Sequence, residues 1–167
     1  LGENNVIFAP GNAGVEDRQR RDVDVMNFEG LYNIARTEHA DLVVIGPDDP
    51  LAEGIVDYFS ERDAKLPVFG PNREAAKIES SKIFAKRLMK KYGIPTAEFE
   101  VAYDPEGAKF CARLLLERYG KVVIKKDGLA RGKGVVVCNN IGEIESCLDY
   151  LISLGKIDGF VVERFLP

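Results

Sequence analysis

Short apolar runs alternate with helical patterns along the first half of the chain. Val6 to Ala9 reads as a buried strand running into the turn PGNAG. From Phe28 to Glu38, Leu31, Ile34 and Ala35 recur at helical spacing. Leu42 to Gly46, LVVIG, is uninterrupted and β-branched, the pattern of a strand buried on both faces. A helix is predicted over 51–62, burying Ile55, Tyr58 and Phe59, and PVFG supplies a third short strand. Strand, helix, strand, helix, strand is the order of a parallel α/β sheet. Each strand ends in glycine or proline, at APGNAG, IGPDDP and FGPN. Loops at the carboxyl ends of such strands gather around ligands. The same residue types also punctuate ordinary turns.

After Pro71 the texture changes. REAAKIESSKIFAKRLMKKYG is helical with a break near Ser80, where a serine can cap a new helix; Ile83, Phe84, Leu88 and Met89 form its apolar face. Gly93 and Pro95 close that segment. DPEGAKFCARLLLERYG carries Asp104 as N-cap, Pro105 at the first helical position and Gly120 as the stop. KVVIKKDG and GVVVC read as two strands of a hairpin. IGEIESCLDYLISL is a helix with Ile141, Ile144, Cys147, Leu148, Leu151 and Ile152 on one side, and GFVVERFL closes as a strand. The second half is therefore an α+β layer, with the boundary near Ile94: residues 1–93 form the sheet domain with linking helices, and 94–167 the second unit.

Composition narrows the chemistry. The chain has 167 residues, of which 46% are hydrophobic, so a core can be buried. A net charge of -4 with both signs interspersed argues against a generally nucleic-acid-binding surface, while leaving room for a local basic site. Cys111, Cys138 and Cys147 have no metal-ligand spacing and read as packing residues in a reducing compartment. No apolar run has membrane length and no signal peptide opens the chain, so the expected location is the cytoplasm. The chain opens on Leu1 and stops at a strand-like run with nothing after it to pair or cover it, which reads as a fragment.

The densest chemistry lies in KKDGLARGKGVVVC, Lys125 to Cys138. A phosphate-binding Walker loop needs G-x-x-x-x-G-K-[ST]. Here Gly128 to Lys133 is one residue short, Gly134 replaces the hydroxyl, and a strand follows in place of a helix. A dinucleotide fingerprint is absent as well. What remains is a hairpin whose tip exceeds the usual two to five residues. Gly128, Gly132 and Gly134 free its backbone, and Lys125 and Lys133 bring positive charge to a polyphosphate from two directions. Period-two alternation puts Val123 and Lys125 on one face, Ile124 and Lys126 on the other. By spacing alone, a phosphate flap and a mobile basic loop both remain open.

IKKDGLARGKGVVV resembles the ATP-grasp signature of the phosphoribosylamine–glycine ligase (glycinamide ribonucleotide synthetase) family, close to V-[IV]-K-A-D-G-L-A-x-G-K-G-V. FAPGNAG, DLVVIGPDDPLAEGIVD, VFGPNREAAKIESSKIFAKRLMKKYGIPTAEF and the closing VVERFL resemble further family blocks in the right order, and together they span nearly the whole chain. The resemblance implies a Rossmann-like pre-ATP-grasp sheet domain followed by an α+β ATP-grasp lid subdomain. It implies a reaction in which ATP phosphorylates glycine and 5-phosphoribosylamine attacks the acyl phosphate, giving glycinamide ribonucleotide, ADP and phosphate. Carried over by position, Lys82 and Lys125 contact ATP phosphates. Gly128, Leu129, Ala130, Gly132, Lys133 and Gly134 form the flap, and Glu163 with the Phe165 and Leu166 backbone forms the adenine hinge. Pro10, Gly11, Asn12 and Gly14, with Gly46, Pro47, Asp48 and Pro50, border the phosphoribosylamine pocket. Magnesium or manganese is expected on ligands beyond Pro167, in the missing C-terminal part of the same enzyme. His39, in a polar helix end, reads as exposed and non-catalytic.

Departures from the pattern are specific. The family's opening G-x-G-G-R-E-H-A is absent, and Asp48 stands where glutamate is usual. Lys126 replaces alanine, Arg131 adds charge at the flap tip, and Arg164 replaces a second hinge glutamate. The segment from Leu154 to Phe160 lacks the family's F-G-x-A-G loop. Two other readings stay in play: another ATP-grasp ligase or carboxylase, against which the PGNAG and GPDDP loops argue, and a non-catalytic nucleotide-binding fragment.

Overall fold

The computed structural model describes residues 6–130 and 132–167, and divides into two compact units, Leu1–Ala76 and Lys77–Pro167. In the first unit, α1 (Phe28–Thr37) is capped by the Asn27 side chain, which accepts the Gly30 N–H at 2.9 Å. It packs on α3 (Ile55–Arg62) through Ala35, Ile55, Val56 and Phe59, with Tyr32 edge-on to Phe59 at 5.4 Å. β1 (Val43–Val44) and β2 (Val68–Phe69) pair in parallel, as the alternating pattern predicts. Their carboxyl ends therefore open at one edge of the sheet, into Gly46-Pro47 and Gly70-Pro71.

Three details of this unit differ from the pattern reading. Val6–Ala9 is no strand: Phe8 makes one isolated parallel bridge to Arg20, because its N–H and C=O are taken by Gln19 and Arg21. The predicted 51–62 helix is two, α2 (Asp48–Ala52) and α3, separated by Gly54 at φ +89°, where a left-handed turn interrupts the helix. LVVIG is buried on one face only. Val43 and Ile45 pack on the core while Leu42 and Val44 stay exposed, since among the described residues the cluster behind the strands lies on one side.

α4 (Arg73–Ser80) carries the chain into the second unit, whose first helix is α5 (Lys82–Tyr92). The cap between them is Ser81, one residue after the predicted break, and Gly93 ends α5 in the left-handed region at φ +66°. α5, expected to link from the first domain, hydrogen-bonds within the second unit through Ser81, Lys82 and Ile83. Next come β3 (Phe99–Ala102), α6 (Pro105–Tyr119), β4 (Val122–Lys126), β5 (Val135–Cys138), α7 (Ile141–Ser153) and β6 (Phe160–Arg164). The sheet is antiparallel throughout, in the order β3-β6-β4-β5. α6 begins as the sequence dictates, with Asp104 accepting the Gly107 N–H at 2.8 Å, Pro105 at its first turn and Gly120 at its end.

β6 is the largest surprise. A terminal run with nothing after it to pair or cover it is in fact interior, bonded to β3 on one side and β4 on the other. β3 is a strand the pattern reading does not include, with Phe99 and Val101 half-buried and Glu100 exposed between them. One face of the sheet buries Ala102, Val122, Ile124, Phe160 and Val162 against α6 and α7. From α7 the buried stripe is Ile144, Cys147, Leu148 and Leu151. Ile141 and Ile152, assigned to the same side, are exposed because they flank that stripe at the helix ends. No described helix is long and apolar enough to cross a membrane.

Candidate functional site

The second face of the four-stranded sheet carries Lys125 and Glu163. Register pairs Glu163 with Phe99 on one side and Val123 on the other, and Lys125 with Val161 and Val135. Residues paired across strands share a face, so Val123, Lys125, Val161 and Glu163 project together, opposite Ile124 and Lys126. The alternation read from the sequence holds here. Lys125 reaches diagonally to form an ion pair with Oε1 of Glu163.

From α5, Lys86 approaches the same carboxylate. Its ammonium pairs with Oε2 of Glu163, a contact that brings charge close without an aligned hydrogen bond. Lys86 also donates to Thr96 Oγ1 at 2.6 Å and to the Ala97 carbonyl at 3.4 Å. Lys86 and Glu163 are buried, 9% and 7% exposed, whereas the Lys125 side chain keeps 26% of its surface. A buried carboxylate held by two ammonium groups is an arrangement that must stay paired to be tolerated.

One turn earlier on α5, Lys82 donates to the Gly128 carbonyl at 2.7 Å. Burial holds its ammonium below the usual lysine range, the Lys125 charge adds to that, and Asp127 works against it. Asp127 is the joint of the site. It accepts hydrogen bonds from Ser81 Oγ at 3.0 Å and from the Ile83 N–H at 3.0 Å, while Ser81 Oγ in turn accepts the Phe84 N–H at 3.1 Å. Two of the unsatisfied N–H groups that open α5 are thus met, one by a residue of the hairpin. Asp127 N–H also donates to the Gly159 carbonyl at 2.9 Å, which ties the hairpin base to the entry of β6.

Beyond Asp127 the chain forms the glycine-rich tip. Gly128 and Gly132 sit at φ +89° and +80°, the left-handed region that favours glycine. Lys133 N–H closes a turn on the Ala130 carbonyl at 2.9 Å, and Lys133 itself is exposed. Gly134 is buried; a Cβ there would stand 2.7 Å from that of Ala130, so only glycine fits while the turn is folded this way. Leu129 and Ala130 are half-buried, and Arg131 lies outside the described residues. Lys126, the departure from alanine, is buried on the core-side face with its N–H on the Gly134 carbonyl. At the end of β6, Arg164 lies over the Tyr119 ring at 4.9 Å; beyond it, Phe165 N–H leans toward the Lys121 carbonyl at 3.5 Å and Leu166 is exposed.

In the first unit, the PGNAG loop is folded on itself. Asn12 accepts the Gly14 N–H on Oδ1 at 2.8 Å and the Val15 N–H on its carbonyl at 3.0 Å; Gly11 sits at φ +77°. Pro10 is half-buried, and Asn12 and Gly14 are exposed. Gly46, Pro47 and Asp48 are exposed at the end of β1, and Asp48 opens α2. Pro50 is fully buried in α2. His39 is exposed, as expected.

The structure thus joins Lys82, Lys125, Glu163 and the flap. It adds Ser81, Lys86 and Asp127, which carried no assigned role. Lys86 had a signal, its spacing of one helical turn from Lys82. Asp127 had none, since its partners lie far back along the chain.

Two family descriptions match the chain end to end: "Phosphoribosylglycinamide synthetase, N domain" over residues 2–79 and "Phosphoribosylglycinamide synthetase, ATP-grasp (A) domain" over 80–167. The phosphoribosylamine–glycine ligase of Lactococcus lactis is 41% identical over 163 residues, covering 96% of this chain and 38% of the relative. The crystal structure of the same enzyme from Thermotoga maritima superposes with a TM-score of 0.70 at 36% identity, covering 97% of this chain and 38% of that one. More distantly, the biotin carboxylase domain of Hydrogenobacter thermophilus 2-oxoglutarate carboxylase, in complex with MgADP, ADP and bicarbonate, gives 0.64 at 21% identity. It covers 88% of this chain and 34% of that one, a likeness of fold. The chain spans about two fifths of the length of the relatives it matches.

Proposed function

This chain belongs to the phosphoribosylglycinamide synthetase family, and from that premise we propose that it supplies the nucleotide-phosphate lid and substrate loops of a phosphoribosylamine–glycine ligase. The reaction is ATP-dependent: the glycine carboxylate attacks the γ-phosphate, ADP leaves, and the amine of 5-phosphoribosylamine displaces phosphate from the acyl phosphate. Glycinamide ribonucleotide results. A carboxylate is a poor acyl donor until phosphorylated, and phosphoryl transfer needs positioning and charge neutralisation more than a protein nucleophile. The single observation that carries the reading is the convergence of Lys82, Lys125 and the flap base at Gly128 near the carboxyl end of β4.

Each part has a role in that scheme. Lys82 and Lys125 face the phosphates, and the flap amides from Gly128 to Gly134 cover them, with Lys133 at the tip. Glu163 and the backbone at Phe165 and Leu166 receive the adenine. Pro10, Gly11, Asn12 and Gly14, with Gly46, Pro47 and Asp48, border the phosphoribosylamine; Pro50 shapes α2 behind them. Among the described residues no three His, Cys, Asp or Glu side chains converge as a metal-holding group. The magnesium or manganese expected with ATP is assigned to residues outside this chain, and no step here runs through it.

Two measurements test the reading. In the longer protein that carries this chain, ATP consumption is expected to require both glycine and 5-phosphoribosylamine; turnover that needs bicarbonate and ignores glycine would overturn it. In the chain itself, Lys125→Ala is expected to weaken ATP binding by about tenfold or more, since a charge-assisted phosphate contact is removed. Equal calorimetric affinities for wild type and variant would remove Lys125 from the site.

A further inference from the structure

Glu163 poses a problem for the lid. Its carboxylate is buried and one of its oxygens is held by Lys125, the strand lysine placed to serve the nucleotide. Moving that ammonium to a phosphate would leave a buried carboxylate short of a cation, an arrangement strongly resisted in a protein interior. Lys82 offers no substitute, since it is engaged with the Gly128 carbonyl beside Asp127.

Lys86 removes the obstacle. An ammonium has three donors, and those of Lys86 have three neighbours: Oε2 of Glu163, Thr96 Oγ1 at 2.6 Å and the Ala97 carbonyl at 3.4 Å. It is therefore a fixed cation, whereas Lys125 touches Glu163 through the other oxygen and stays partly open to solvent. The Lys86 ammonium also lies over the Phe99 ring, 5.3 Å from its centroid. Phe99 is the register partner of Glu163, so ring and carboxylate share this face with Lys86 next to both.

We propose that Lys86 is a positioning residue, the standing counter-ion of Glu163 that lets Lys125 leave the carboxylate for an anionic phosphate. The proposal rests on the nucleotide-lid reading above and adds to it a division of labour between two lysines on one glutamate. Lys86 never touches the nucleotide. It determines whether Lys125 can.

The test is a double-variant cycle read by calorimetry with ATP and with inorganic tripolyphosphate, which carries the charge without adenine. Lys86→Met is expected to weaken both ligands by about tenfold, and by no more than about twofold when Glu163 is already Gln, because a neutral partner needs no counter-ion. An equal loss in both backgrounds, or no loss in the first, overturns the proposal. If K86M fails to fold by circular dichroism, E163Q and K86M/E163Q carry the comparison. A folded double variant that binds tripolyphosphate like E163Q supports the proposal, and an unfolded or weaker one overturns it. Wild-type chain that binds neither ligand brings down the lid reading itself; wild type that binds while K86M binds equally brings down only this inference.

Discussion

Asp127 caps a helix from outside it. Its carboxylate satisfies the Ile83 N–H and the Ser81 hydroxyl, so the negative charge sits where the α5 dipole favours it, and the first residue past β4 is fixed to the same point. Replacing it with alanine removes the hairpin's contribution to the cap and loosens the flap base where Lys82 meets Gly128. Asp127→Ala is expected to lower unfolding stability by about 1–2 kcal/mol, the usual cost of a lost cap, and to weaken ATP binding in parallel. Urea titration of the two proteins checks the first, and calorimetry the second. The sequence around Asp127 was legible only in part. Glycines that permit left-handed turns announce themselves in KKDGLARGKG, and Gly128 and Gly132 adopt them. An aspartate whose partners stand on another element carries no local mark, because propensity and periodicity describe only near neighbours.

Among the elements, the best-read were those whose ends are written in side chains. Asp104-Pro105, Gly93 and Gly120 begin or stop helices where expected, because each acts through its own backbone. Strand environment was less legible. LVVIG looked buried on both faces and is buried on one, and VVERFL looked unpaired and is interior, since both depend on neighbours that pattern cannot supply. The start of α7 offers a quantitative check. Asn140 accepts the Glu143 N–H at 3.0 Å, while the Glu143 carboxylate accepts the Asn139 N–H at 2.7 Å and the Asn140 amide at 2.6 Å, a capping box that reaches one residue further back. The Asn139 backbone N–H and then its side chain hold the Glu143 carboxyl below the usual carboxylate range, against the opposing effect of burial, with the Asn140 side chain adding the least. An acid with a depressed folded pKa stabilises above its unfolded value, about 4.3 for glutamate, and loses that contribution as pH falls through the folded one. Glu143→Gln is therefore expected to be less stable than wild type near neutrality, with the gap closing as pH drops below about 4. Denaturation at a series of pH values reads it directly; a gap that stays constant would remove the carboxylate charge from the cap.

Across the molecule, the two units are unequal. The second buries Val122, Ile124, Phe160 and Val162 from two central strands against α6 and α7, with Ala108, Ala112 and Leu151 fully covered. The first relies on Ala35, Ile55, Val56 and Phe59 behind a two-stranded sheet, and leaves Val44 and Phe69 exposed at 62% and 70%. Stability scales with apolar area removed from water, so the second unit should hold its hydrogen bonds longer. Amides of β4 and β6 are expected to exchange most slowly with solvent, and the Val43 and Ile45 amides, bonded to Pro67 and Phe69 across β1 and β2, much sooner. Phe59 decides the matter for the first unit. It is 1% exposed and packs edge-on against Tyr32. Truncation to alanine should cost about 3–5 kcal/mol, comparable to the whole stability of a small folded unit. In Phe59→Ala, the Val43 and Ile45 amides are expected to lose protection altogether while those of Ile124 and Val162 keep theirs. Equal protection of both sets in the wild type, or a uniform loss in the variant, would mean that the chain unfolds as one cooperative body.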